Sequence, residues 1–230
     1  MTRTALRAVG LVAAVQALLR IGPLAIQAAG GRGLPVPGSF NDPAHALAII
    51  RESPEVMIVA GFICATGVTK VAIVLGLTRR LTGTAPLWAR VSMPFGIIAA
   101  AFLMIDGALG IAALPQLAHL DIRGSAADGA YLAILAIRNG IDRVIPLTLG
   151  IWALATNIPA WHYRQLPRTL ALTGLLLGLA GVAGAILPAA GLASLVLALL
   201  WTSGLAIAMY RGSAAPPAPQ RTRVPLDFTH

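Results

Sequence analysis

Ionisable side chains interrupt four of the long apolar segments in this sequence of 230 residues. They are Arg20, Lys70, Asp106, Arg138, Asp142 and Arg143. A charged side chain at the centre of a bilayer costs roughly 2.5 to 3.5 kcal/mol on insertion scales, so such residues usually face a protein interior or a water-filled cavity. Guanidinium and carboxylate groups in that position can pair with one another, bind an anion or exchange a proton. These six residues are therefore the first candidates for a functional site.

The fourth apolar segment carries the densest polar patch. Arg138 and Asp142 are four residues apart, and so are Asn139 and Arg143, which places all four on one helical surface about a turn and a half long. Pro146 follows at the next turn and is expected to kink or loosen the helix there.

The first apolar segment has a polar face of its own. Gln16, Arg20, Pro23 and Gln27 are spaced by four, three and four residues, which keeps them along one side of a helix. We expect this side to point inward. At about 1.5 Å per residue from the predicted cytoplasmic helix ends, Arg20 and the charges of the third and fourth segments reach similar depths, and Lys70 lies shallower.

The charges of these segments do not balance, because four are positive and two are negative. Asp106 can pair with one arginine of the fourth segment, and Asp142 can be shared locally, which leaves two positive charges unmatched. Backbone carbonyls, a water-filled cavity, or an anionic ligand such as a carboxylate or a lipid headgroup would have to compensate them. Two interpretations stay open: the charges tie the helices together, each contact contributing about 0.6 to 2 kcal/mol, or they form a ligand site.

The composition predicts one all-α membrane domain. Hydrophobic residues make up 57% of the chain, charged residues 11%, and the mean hydropathy is +0.82. Apolar windows predict six transmembrane helices over residues 8–29, 55–78, 92–114, 129–157, 169–187 and 191–210. Residues 1–210 then form a single six-helix bundle, and residues 211–230, rich in Pro and Ala, are expected to be a disordered tail.

Basic residues predict that both termini are cytoplasmic. With the N-terminus inside, ten arginines lie in cytoplasmic segments and three in outside loops, a bias that follows the positive-inside rule. A cleaved signal peptide is the alternative for the first segment, but Gln16 and Arg20 break its apolar run, so we expect the helix to be retained. The Ala-, Leu-, Gly- and Arg-rich composition indicates a bacterial source, and hence the inner membrane.

The first outside loop has local signals for a short interfacial helix. Asn41 or Asp42 can cap a helix that Pro43 opens, covering residues 44–51. Ser53 is expected to cap the second membrane helix, which begins near Glu55.

Other chemistry is disfavoured by what the sequence contains. The four histidines fall outside the predicted helix cores, there is one cysteine, and neither a nucleophile–base pair nor a metal triad can be assembled at one depth. We therefore predict no catalytic residues, no metal and no cofactor. The net charge of +9 lies largely in short loops that orient helices, so nucleic acid is not expected as a partner.

Two further patterns concern packing. Gly174, Gly178 and Gly181 form a small-residue surface on the fifth helix, for which packing within the chain is favoured over dimerisation. The tryptophans lie mostly near predicted helix ends, which is typical of interfacial anchors. They are Trp88, Trp152, Trp161 and Trp201.

The stretch from Phe40 through Asn41, Asp42 and Pro43 to Glu55 and Val56 resembles a family of uncharacterised bacterial six-helix membrane proteins. The resemblance covers residues 5–212 and implies an architecture but no activity. Three functions are weighed. The first is a non-enzymatic sensor, accessory or assembly protein that acts through a membrane-protein partner. The second is a small carrier or binding protein for an anionic or amphipathic solute or lipid, and the third, disfavoured, is an intramembrane enzyme.

Overall fold

A computed structural model describes residues 2–28, 43–119 and 125–211, and within these ranges the chain is helical, with no strand. There are seven helices in the described ranges. They are α1 (Arg3–Ala28), α2 (Pro43–Glu52), α3 (Glu55–Thr82), α4 (Pro86–His119), α5 (Ser125–His162), α6 (Arg168–Gly184) and α7 (Pro188–Tyr210). The predicted tail lies outside the described residues, apart from Arg211.

Five of these helices are long and apolar enough to cross a membrane: α1, α3, α4, α5 and α7. The described part of the chain is therefore all-helical, and its five long apolar helices indicate a membrane-embedded protein. The apolar helix α6 has only 17 residues and falls short of that length.

Most helices extend beyond the predicted apolar windows, because hydropathy detects the lipid-facing part of a helix but not its polar ends. The helix α3 continues to Thr82 and includes Arg79 and Arg80. The helix α4 continues to His119 through a π-helical segment, Leu109–Ala113, which the sequence did not indicate.

The six longer helices form a closed ring in the order α1, α3, α4, α5, α6, α7, in which α7 packs against α1 again. Gly10 near the start of α1 lies against Met209 and Tyr210 at the end of α7, so these two helices are antiparallel. The described ends of the chain consequently lie at the same end of the bundle.

The bundle is filled toward the end at which the described ends of the chain lie. Its core includes Ile73 and Val74 of α3, Trp152 of α5 and Trp201 and Leu205 of α7, all fully buried. The interfacial anchoring expected for Trp152 and Trp201 is therefore wrong, because both rings pack edge to face inside the bundle, with centroids 5.4 Å apart and an interplanar angle of 85°.

The short helix α2 closes the other end of the bundle. Its Ala46 and Ile50 join a second buried cluster with Leu114, Leu117 and Tyr131. Arg51 donates a hydrogen bond from Nε to the carbonyl oxygen of Ala118 at 2.9 Å. The predicted short helix is thus present, whereas its proposed caps Asn41 and Asp42 lie outside the described residues.

The expected side-chain cap at Ser53 is wrong. The helix α3 begins at Glu55 as predicted, but no side chain caps it. Instead, the backbone carbonyl of Ser53 accepts from the Val56 amide at 3.2 Å, because the chain passes from α2 into α3 through a continuous turn.

Candidate functional site

The described helices surround a cavity of about 1170 Å³ toward the end of the bundle at which α6 joins α7. All six ring helices contribute to its wall, together with the turn between α6 and α7. The wall is mostly apolar, and its polar side chains are Arg20, Thr66, Asn139, Asp142, Arg143 and Ser194. The apolar wall with a few converging polar groups is the usual composition of a ligand site.

Arg20 is the most informative group in this wall. Its Nε atom is buried and has no hydrogen-bond partner. In the part of the chain that the structure describes, no carboxylate lies within 4.0 Å of its guanidinium. Arg20 is half-buried, and its Nε atom loses hydration without gaining a partner, so Arg20 favours the arrival of an anion.

One turn earlier on the same face of α1, Gln16 is fully buried. Its Nε2 donates to the Thr66 carbonyl at 3.2 Å, while its Oε1 atom has no partner. The polar face predicted for α1 therefore points inward at Gln16, Arg20 and Pro23. The side chain of Gln27 lies outside what the structure describes.

The polar patch of α5 divides between two environments. Arg138 donates from Nε to Asp106 Oδ1 at 2.7 Å, an ion pair that joins α4 to α5. Asn139, Asp142 and Arg143 instead lie along the cavity wall with exposed side chains. Asp142 is in electrostatic range of both Asp106 and Arg138 but forms no ion pair among the described residues.

Arg143 is a second cavity-lining cation for which the described part of the chain supplies no ion-pair partner. The structure thus brings Arg20 and Arg143, from opposite sides of the ring, to one apolar cavity. The predicted pairing of Asp106 with an arginine is present, and the excess of positive charge remains at the cavity.

Lys70 is separate from this wall. It is 1% exposed, and its Nζ atom lies 3.9 Å from the centroid of the Trp152 ring, a cation–π contact.

Sequence reasoning missed a polar contact between α5 and α7. Trp201 donates from Nε1 to Asn157 Oδ1 at 3.2 Å, and Asn157 Nδ2 donates to the Ala153 carbonyl at 2.8 Å. Asn157 was hard to identify because a single amide near a helix end carries no spacing signal.

Two prolines lie in the cavity wall. Pro23 in α1 and Pro146 in α5 lie inside continuous helices. A proline has no N–H, so the carbonyls four residues earlier, at Leu19 and Asp142, lose their helical donors. Leu19 and Asp142 also line the cavity.

The glycines singled out in α6 hold the cavity wall in place. Gly178 and Gly181 lie against Gly150 of α5, where an added Cβ at Gly181 would be 2.7 Å from the Pro146 carbonyl oxygen. Gly174 lies against the Asn157 amide. All three therefore pack within the chain, between α5 and α6.

The described residues contain no group of three or more His, Cys, Asp or Glu side chains able to hold a metal ion. Cys64 is a free thiol packed beside Gly107.

No protein-family model, no curated protein and no solved structure matches this chain. The resemblance to uncharacterised bacterial six-helix membrane proteins therefore stays a prediction.

Proposed function

We propose that this protein binds or carries an amphipathic anion, such as a long-chain carboxylate or a lipid with an anionic headgroup, in the cavity between its helices. The acidic group binds Arg20 and Arg143, and the apolar part of the ligand occupies the rest of the cavity. The observation that carries this proposal is the buried, unpartnered Nε of Arg20 beside an apolar cavity.

The physical reason is the free energy of the unliganded site. A guanidinium that has lost its water without gaining a carboxylate is destabilised, and an anionic ligand would restore charge-assisted hydrogen bonds there. Polar contacts alone would not explain the size of the cavity. Its volume of about 1170 Å³ exceeds the range of about 300 to 1000 Å³ that is typical for drug-sized ligands.

A second function, a non-enzymatic sensor, accessory or assembly protein held together by buried charges, was placed first on sequence grounds. The ion pair between Asp106 and Arg138 supports that view for these two residues. Arg20 and Arg143 have no such ion pair among the described residues, and for this reason we place ligand binding first.

We further propose that all six ring helices lie in a bacterial inner membrane, with both termini in the cytoplasm. The antiparallel packing of α1 and α7 and the bias of basic residues support this arrangement. The helices α6 and α7 then enter the membrane from the cytoplasmic side as a hairpin.

The proposed binding can be tested with cis-parinaric acid, a fluorescent long-chain carboxylate, and its uncharged methyl ester, added to detergent-purified protein. We expect the acid to bind saturably and about tenfold more tightly than the ester, since a hydrogen bond to a charged group contributes about 1.5 to 3 kcal/mol. Arg20→Gln and Arg143→Gln should each remove most of this preference.

Arg7→Gln is the matched control, because Arg7 lies on the same helix as Arg20 but is exposed at the opposite end of the bundle. Gel filtration and helical circular dichroism establish that each variant is folded. Equal affinity for acid and ester, or an equal loss in Arg7→Gln, would overturn the proposal.

A further inference from the structure

The turn between α6 and α7 has the composition of a segment immersed in hydrocarbon. Residues 174–193 contain no side chain that ionises or forms a hydrogen bond. At the tip, Ile186 is 82% exposed, and Leu187 and Leu192 are also exposed. An aqueous turn normally carries polar residues, so this tip is suited to lipid rather than to water.

Five backbone amides of the turn are hydrogen-bonded within the hairpin, as a hydrocarbon environment favours. These amides donate to carbonyls of the same hairpin over distances of 2.8 to 3.3 Å. The donors are Ala185, Ile186, Leu187, Ala190 and Gly191. Pro188 has no amide hydrogen to satisfy.

The length of α6 explains why the turn does not reach the far side of the bundle. Its 17 residues extend about 25 Å, which is less than the hydrocarbon thickness of about 30 Å. Gly181 lies against the carbonyl of Pro146, so the hairpin turns near the level of Pro146. The helix α5 continues beyond that level for residues 125–145, about 30 Å.

Among the described helices, the wall of the ring is consequently lower at this hairpin than elsewhere. The helices α6 and α7 are the part of the ring that lies between α5 and α1. The helix α6 ends at the turn, and α7 begins there. The turn residues Gly184, Ala185 and Ile186 line the cavity as well as the bundle surface. Beyond the turn, Arg143 of α5 and Arg20 of α1 belong to the same cavity wall.

We infer that the gap above this hairpin is a lateral portal through which the acyl chains of an anionic phospholipid enter the cavity from the bilayer, while Arg20 and Arg143 hold its phosphate. This inference rests on the proposed function and identifies the ligand source as the membrane rather than the aqueous phase. The low apolar lip allows the acyl chains to remain in a hydrocarbon environment throughout entry, and the two cations select the headgroup.

Photolabelling in reconstituted vesicles tests the portal. Phosphatidylglycerol and phosphatidylcholine, each with a diazirine in one acyl chain, are compared, and the labelled peptides are located by mass spectrometry. We expect phosphatidylglycerol to label cavity residues such as Leu24, Ile145 and Leu192 about tenfold more than phosphatidylcholine does. This preference should vanish in the Arg20→Gln/Arg143→Gln double variant and persist in Arg7→Gln.

A second variant tests the lip itself. Leu192→Trp places a larger ring where the turn meets the cavity and should reduce phospholipid labelling several-fold, whereas Val196→Trp, one turn away on the exposed face of α7, should not. Equal labelling of the cavity by both lipids, or equal effects of the two tryptophans, would overturn the portal.

The two hypotheses can fail separately. If cis-parinarate binds in an arginine-dependent way in detergent but phosphatidylglycerol does not label the cavity, lateral entry is wrong and the proposed function stands. If neither ligand depends on the arginines, the proposed function is wrong and the portal with it.

Discussion

The Nε atom of Arg138 lies 2.7 Å from Oδ1 of Asp106, and this ion pair joins the middle of α4 to the middle of α5. The side chain of Asp106 is 5% exposed and that of Arg138 is 16% exposed, so the pair is largely withdrawn from solvent. Because only α4 and α5 contribute to it, the pair holds together the two longest helices of the bundle.

Removing one partner of this pair should be costly. Asp106→Asn removes the ion-pair partner of the largely buried Arg138 and leaves only the more distant Asp142 charge in electrostatic range, so we expect a loss of about 3 kcal/mol in the free energy of unfolding. Reversible denaturation in mixed micelles measures it. The Asp106→Leu/Arg138→Met double variant should recover most of the loss, because no unpaired charge remains. A fully stable Asp106→Asn protein would contradict a structural role for the pair.

Replacing Lys70 should not destabilise the protein, in contrast to replacing Asp106. Its buried ammonium has the Trp152 ring as its polar contact and no carboxylate among the described residues. Lys70→Met removes a desolvated charge while preserving side-chain volume, so the thermal midpoint should stay the same or rise. A blue shift of tryptophan emission should accompany it. A marked loss of stability would indicate that the cation–π contact outweighs the desolvation cost.

The contact between α5 and α6 should tolerate no added methyl group at Gly181. A Cβ there would lie 2.7 Å from the Pro146 carbonyl oxygen and 2.9 Å from Gly150 Cα, both backbone atoms, so the helices must move apart. We expect Gly181→Ala to cost about 1 to 3 kcal/mol, measured by the same denaturation assay.

Gly140→Ala is the control, because nothing lies within 4 Å of a Cβ at that position. Alanine favours a helix over glycine by about 1 kcal/mol, so Gly140→Ala should be neutral or stabilising. An equal loss in both variants would contradict the packing argument.

The antiparallel packing of α1 and α7 predicts that the two described ends of the chain share one side of the membrane. The basic residues of both ends, Arg3, Arg7 and Arg211, favour the cytoplasm. A fluorescent protein fused after Arg211 should therefore mature, whereas alkaline phosphatase fused there should be inactive. Activity of the phosphatase fusion would reverse the proposed orientation.

The helices were largely predictable because lipid imposes a simple pattern on a sequence. Long apolar runs identified all six ring helices, and the start of α3 at Glu55 was predicted correctly. The polar ends of helices and the π-helical segment in α4 were not predictable, since neither interrupts the apolar run nor changes its composition.

The candidate site was predictable in its residue types but not in its arrangement. Helical spacing correctly placed Gln16, Arg20 and Pro23 on one inward face. Spacing could not reveal that Arg138 turns toward Asp106 while Arg143, five residues later, lines the cavity. A helix presents its residues in all directions, and only its neighbours decide which direction is occupied by a partner.

By itself, the sequence determined that this is an all-helical membrane protein with more positive than negative charge among its apolar segments, because hydropathy and formal charge are properties of the residues alone. The tertiary structure decided which charges found partners, that Trp152 and Trp201 pack inside one end of the bundle, and that a cavity lies toward the other end beside a short apolar hairpin. Those features depend on the order of helices around the ring and on the level at which each helix ends. Both arise from packing between residues far apart in the chain, which local composition does not encode.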